Sequence, residues 1–251
     1  MERYVVLRLI SLLSLIVFLV AACQPESSDE PPPDPVALIT EAADNIRASQ
    51  TFRLEVRHSG ADYLVPVYIT DNINPVNVAF RRAVAQYVFP NQLQASVRVL
   101  LAGAAINIDA YSRGIDQWFK LAGTDWVDGD FAPGFDPQTL IAEDTGFQAA
   151  LASLRQLEIL GNTTLEDGTG VYHLRGVANG PDVTALLVGL IESEGDVIVD
   201  VFIDRETHFP VRLIITQPET DTENPTTWTI DVYDVNADPE LSPPEDVSEN
   251  G

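Results

Sequence analysis

The stretch QLQASVRVLLAGAAINIDAY, residues 92–111, alternates apolar and polar side chains in two runs that a turn at Gly103 separates. The polar members, such as Arg98 and Asn107, point away from the apolar ones. The apolar members share one side of each run: Leu93, Ala95, Val97, Val99, Ile106, Ile108 and Ala110. A period of two with one polar face indicates antiparallel strands in a sheet that buries one side.

The same alternation returns on both sides of this stretch. It runs through TFRLEVRH at residues 51–58 and through DVIVDVFID, PVRLIITQ and TWTIDVYDV between residues 196 and 235. Helical signals stand between the strands. Asp34-Pro35 is a capping pair that predicts a helix ending near Ser49, with Val36, Ile39, Ala43 and Ile46 as its apolar stripe. Residues 136–156 predict one or two helices, and Pro181 begins a short one. The sum predicts an α+β fold with helices on one face of a large sheet that tends to curl.

The N-terminal residues 1–22 predict a signal peptide. Their apolar segment is about 14 residues long, shorter than the ~20 that span a bilayer. Val20-Ala21-Ala22-Cys23 resembles a bacterial lipobox, which predicts that Cys23 becomes a lipidated N-terminus. Residues 23–33 then form a flexible, proline-rich spacer. These features predict a protein lipid-anchored to the cell membrane on its extracytoplasmic face. The alternatives are a plain signal peptide that happens to be followed by a cysteine, and a signal anchor that is never cleaved.

Composition excludes several classes of function. The formal net charge of −24 argues against nucleic acid as a partner. It also argues against binding to anionic lipid through a polybasic segment. Hydrophobic residues make up 45% of the chain, enough for the core of one domain, predicted over residues 34–245 and followed by an acidic tail at 246–251.

Residues for catalysis are scarce. His58, His173 and His208 lie far apart without metal-ligand spacing, so no metal site and no cofactor are predicted. No nucleophile elbow or phosphate loop occurs, and Cys23 is the only thiol. The sequence therefore does not predict an enzyme, which needs a polar cluster in a cleft.

Four motifs, in this order along the chain, point to a known family, and the likeness covers most of residues 34–245. The first is the lipobox cysteine with its polar spacer and an alanine-rich helix leading to TFRLEV. The others are WFKLAGTDWVDGDF at 118–131, LRQLEILGNTTLEDGTGVYHLRG at 154–176, and VFIDRETHFPVRLIIT at 201–216, completed by TTWTIDVYDVNADPELSPP. Together they resemble the bacterial LppX/LprAFG lipoproteins, whose fold is like that of the lipoprotein carrier LolA.

The resemblance implies a curved antiparallel half-barrel whose concave face is covered by helices, with an apolar cavity for acyl chains between them. It further implies that the protein holds a lipid or glycolipid away from water and carries it across the cell envelope. The chain departs from the pattern at two places. Residues 72–90 are longer and more polar than expected, and Thr207-His208-Phe209 stands where a glycine turn is expected.

The inward members of the strands are the candidate walls of the lipid cavity, and the alternative for each is that it belongs to the ordinary core. They are Leu54, Val56, Val97, Val99, Ile106, Ile108, Val199, Val201 and Leu213. The expected partners are a lipid or glycolipid and the membrane, with an envelope transporter or acceptor protein as a further candidate, and the protein is expected to be a monomer. The alternative function is a non-transporting surface lipoprotein that senses the envelope or binds a protein partner.

Overall fold

A computed structural model describes residues 33–67, 76–129, 132, 134–184, 193 and 195–245. The predicted signal peptide at 1–22, Cys23, all of the spacer but Pro33, and the acidic tail at 246–251 lie outside the described residues.

Twelve strands form one antiparallel sheet within the described ranges. The strands that contain residues 92–111 are β4 and β5, as the alternation predicts. In chain order the strands are β1 Thr51–Ser59, β2 Leu64–Val67, β3 Val76–Val88, β4 Gln92–Leu101, β5 Ala104–Arg113, β6 Asp116–Leu121, β7 Val127–Asp128, β8 Arg155–Thr164, β9 Gly170–Asn179, β10 Asp196–Asp204, β11 Pro210–Gln217 and β12 Thr226–Tyr233.

The strand order is β7-β6-β5-β4-β3-β1-β12-β11-β10-β9-β8, with β2 paired to β3 off this path. The first and last parts of the chain therefore meet where β1 pairs with β12. At the two edges of the sheet lie β7, which has two residues, and β8, whose pairing with β9 shifts register at two places. A further register shift lies in β3, between Phe80 and Arg82.

The helices are α1 Pro35–Arg47, a 3₁₀ helix at Pro137–Leu140, α2 Gly146–Ala152 and α3 Gly180–Thr184. Asp34 caps α1 as predicted, because its carboxylate accepts the backbone N–H of Val36 at 3.1 Å. None of the helices within the described ranges has the length and apolar character needed to cross a membrane.

One residue of the predicted α1 stripe is wrong. Val36 is 62% exposed, whereas the helix buries Leu38, Ile39, Ala42, Ala43 and Ile46. At about 100° per residue, the centre of the buried stripe lies roughly 90° around the helix from Val36.

The sheet has two unlike faces. The inner face bears Leu54, Leu213 and Trp228 and joins the buried side chains of the helices in one hydrophobic cluster. The outer face is polar: Arg57 pairs with both Glu55 and Asp231, and Arg212 also pairs with Asp231. The helices therefore cover one side of the sheet only, and the alternation of each strand decides which residues they cover.

The turn between β10 and β11 fastens α1 to the sheet. Asn45 in α1 donates its side-chain N–H groups to the carbonyl oxygens of Thr207 and His208, at 3.1 and 3.2 Å. The His208 imidazole pairs with Glu41 at 2.8 Å. His208 has a φ of 53°, the left-handed conformation for which the resemblance implies a glycine. A glycine at position 208 would avoid the strain of this conformation, but it would lack the side chain that contacts Glu41 in α1.

The C-terminal segment crosses the outer face. The backbone N–H groups of Glu240 and Ser242 donate to the side-chain oxygens of Gln86 and Gln94, at 3.1 and 2.6 Å. Arg53 pairs with Glu240 at 2.8 Å. The end of the described chain thus lies on the side opposite the helices.

Candidate functional site

One row of apolar side chains crosses nine neighbouring strands on the inner face. Residues directly opposite each other on paired strands point to the same face, so the pairing fixes the members of the row. From β9 to β6 this central row is Leu174, Val201, Leu213, Ile230, Val56, Ala83, Val97, Ile108 and Leu121.

Burial divides the central row into two halves. On β9 to β12, Leu174, Val201, Leu213 and Ile230 are all 0% exposed. On β1 and β3 to β5 the row members are only partly buried, and Leu121 on β6 is 42% exposed. The helices within the described ranges therefore seal the central row over one half of the sheet and leave it partly accessible over the other half.

The structure places all nine predicted wall residues on the inner face, but in two groups. Five are buried in the core: Leu54, Val99, Val199, Val201 and Leu213. Four are half-buried and lie together on three strands: Val56, Val97, Ile106 and Ile108. Val97 pairs with Ile108, and Val99 pairs with Ile106. That any of the nine contacts a lipid stays a prediction.

Sequence reasoning missed two neighbours of the half-buried group. Ala83 lies between Val56 and Val97 in the central row, and Leu121 lies beyond Ile108. The period-two pattern of β3 and β6 could have identified both. We call these side chains together the open apolar surface: Val56, Ala83, Val97, Ile106, Ile108 and Leu121.

Protein closes the inner face beside the open apolar surface at one end of the strands. The buried Gln117 side chain donates to the Ala132 carbonyl at 2.8 Å and accepts the Ala132 N–H at 2.9 Å. Phe135 and Phe147 are buried near this end, and Phe147 packs edge-on against Phe52. The segment that contains the 3₁₀ helix and α2 thus covers the strands here.

A histidine side chain, His58, lies on the inner face at the opposite end of β1. His58 follows Leu54 and Val56 in the same alternation and pairs with Trp228, their ring centroids 4.9 Å apart. Its Nε2 lies 3.0 Å from the Ala61 carbonyl oxygen. Burial lowers the pKa of His58 below its ordinary value of 6.5, although the hydrogen bond with the Ala61 carbonyl opposes this shift. The neutral form is therefore favoured at pH 7.

The domain is similar to a known family of proteins. The model of the LppX_LprAFG lipoprotein family matches residues 34–239, a range that contains α1 and all twelve strands. The chain belongs to the LppX_LprAFG lipoprotein family. Membership implies a location in the cell envelope, and lipoproteins of this family are generally not enzymes.

Solved structures support the fold of this LppX_LprAFG lipoprotein. LprF from Mycobacterium bovis is 14% identical and aligns over 85% of this chain and 98% of its own, with a TM-score of 0.63. LppX from Mycobacterium tuberculosis is 16% identical over 83% of this chain and 98% of its own, with a TM-score of 0.56. No curated protein sequence matches the chain. At these identities the likeness concerns the fold, and it confirms the predicted class of antiparallel sheet with helices.

The outer face of this LppX_LprAFG lipoprotein carries an open cleft of about 710 Å³ beside Arg212 and Asp231. The only cation among the described residues that line it, Arg212, is already paired with both Asp231 and Glu166. Among the residues that the structure describes, no group of three or more His, Cys, Asp or Glu side chains is placed to hold a metal ion. The inner face is therefore the stronger candidate for binding.

Proposed function

We propose that this envelope lipoprotein binds a lipid or glycolipid on its open apolar surface and carries it across the cell envelope, without catalysis. The observation that supports the proposal is the divided central row. Its apolar pattern continues unbroken from the sealed half to the accessible half. A soluble domain that only needed a core would gain by covering Val97, Ile108 and Leu121, since exposed apolar surface is unfavourable in water.

The dimensions of the open apolar surface suit an acyl chain. From Val56 to Leu121 the central row crosses four strand spacings, about 19 Å in all. Each methylene removed from water contributes about 0.8 kcal/mol, so ten methylenes contribute about 8 kcal/mol. That free energy corresponds to a dissociation constant of about 1 µM before the cost of ordering the chain is subtracted. A single acyl chain is therefore a sufficient ligand.

Native mass spectrometry of the full lipoprotein, purified from its own type of cell, tests the proposal. We expect a noncovalent lipid adduct, near one molecule per protein, that organic extraction removes and identifies. An unrelated lipoprotein carried through the same purification is the control for adventitious lipid. A protein that emerges without any adduct above that control would contradict the proposed function.

We further propose that Cys23 carries the lipid that anchors the protein to the extracytoplasmic face of the membrane. In cells fed a clickable palmitate analogue, the wild-type protein is expected to be labelled and Cys23→Ser to lose the label. Cys23 is the only cysteine, so no other thiol can take its place. Ser27→Ala, in the same spacer, is the matched control and should keep the label. Equal labelling of Cys23→Ser would rule out this anchor.

A further inference from the structure

His58 is an exception on the inner face. Among the described residues that pair in the sheet, and setting aside Arg81 at the register shift in β3, it is the only inward side chain of the His, Asp, Glu, Lys or Arg types. It lies two residues beyond Val56, roughly 7 Å along β1 from the central row. A polar group therefore stands at the border of the open apolar surface.

The hydrogen bond of Nε2 fixes the chemistry of the other ring nitrogen. A carbonyl oxygen can only accept, so the contact with Ala61 places the ring hydrogen on Nε2. In a neutral imidazole Nδ1 is then an acceptor. The described residues provide no hydrogen-bond donor to Nδ1.

The surroundings of His58 hold this arrangement in place. The indole of Trp228 contacts the His58 ring on one side, and that indole is itself packed by Tyr63 and Phe80 at centroid distances of 5.2 and 5.3 Å. The Trp228 Nε1–H donates to Gln217 at 3.3 Å and so does not compete for Nδ1. His58 is thus oriented by its neighbours, and no described residue occupies its remaining acceptor.

We propose that His58 Nδ1 accepts a hydrogen bond from a hydroxyl or amide N–H in the polar part of the bound lipid, next to its acyl chain. The protein then selects lipids that carry such a donor over lipids whose polar part offers acceptors only. This inference rests on the proposed function, because the acyl chain must lie on the open apolar surface to bring its polar end to His58.

Two matched probes test the selectivity. Monopalmitoylglycerol carries two hydroxyl donors, and its di-O-methyl ether has the same chain and ester without them. Each probe displaces a fluorescent fatty-acid analogue from the full lipoprotein held in nanodiscs. We expect the wild-type protein to prefer the hydroxyl probe by about tenfold, the value of one hydrogen bond to a partly buried group.

Three variants assign the preference to the acceptor. His58→Phe keeps a flat ring without an acceptor, and its preference should fall to within about twofold. His58→Asn places an amide oxygen near the position of Nδ1 and should restore most of the preference. Ser59→Ala, the exposed neighbour that faces the other way, should behave as wild type.

The outcomes separate this inference from the proposed function. If both probes displace the analogue equally well from the wild-type protein, or if His58→Phe keeps the tenfold preference, His58 does not select the ligand and lipid binding itself stands. If neither probe displaces the analogue and the analogue itself does not bind, the proposed function fails together with the inference.

Discussion

Ile108→Asp is expected to weaken lipid binding by at least about 100-fold. Ile108 lies in the accessible half of the central row between Val97 and Leu121, so an acyl chain on that row must pass over it. A carboxylate there loses the apolar contact and must also be desolvated or protonated beneath the chain, which costs several kcal/mol. Since Ile108 is half-buried in the free protein, the aspartate carboxylate of the variant can reach water when no lipid is bound. The fold should therefore survive the substitution.

Asn107→Asp is the matched control for this variant. It introduces the same carboxylate one residue away, at an exposed position on the outer face. Both variants also have the same net charge, so a general electrostatic effect would appear in both. Titration with a fluorescent fatty-acid analogue measures the two affinities. Wild-type affinity in Ile108→Asp would exclude the open apolar surface as the binding site.

Leu213→Ala is expected to lower the free energy of unfolding by about 3 kcal/mol, whereas Ile108→Ala should lower it by about 1 kcal/mol. The two residues belong to the same central row, but Leu213 is 0% exposed between Val201 and Ile230. Removing its side chain leaves a cavity that the packed helices cannot fill. Water and neighbouring side chains can occupy the space that a shortened residue 108 leaves.

Urea unfolding of both variants measures this difference, and lipid titration provides the complementary result. Ile108→Ala should weaken lipid binding more than Leu213→Ala does, the reverse of their order in stability. Equal losses of stability would mean that residue 108 is as tightly enclosed as residue 213, which is incompatible with an accessible half of the row.

The sheet could be predicted because alternation is a local property. In each strand around residues 92–111, the alternation alone identifies which side chains point inward. The pairing of Val97 with Ile108 confirms that the apolar residues of β4 and β5 lie on the same face. The four family motifs, the first of which contains the lipobox cysteine, added the family and its LppX-like fold, which the comparisons confirm.

The division of the inner face could not be predicted. Whether Val97 or Val201 is sealed depends on where the helices lie over the sheet, and the period of a strand contains no information about that. The spacing of the histidines gives His58 no role as a metal ligand, although its place in the alternation after Val56 assigns it to the inner face. The prediction that Val36 belongs to the buried stripe of α1 is wrong for a related reason. The spacing of apolar residues shows that a helix has an apolar stripe, but it fixes the centre of the stripe only to within about a quarter turn.

The edges of the sheet have a consequence for molecules crowded side by side in the cell envelope. A broad sheet ordinarily offers two rows of free backbone donors and acceptors, along which copies can join strand to strand. Here β7 presents only two residues, and the two register shifts in β8 interrupt the spacing that an incoming strand would need. Neither of these two borders is a good template for polymerisation, so crowding in the cell envelope need not lead to fibrils through them.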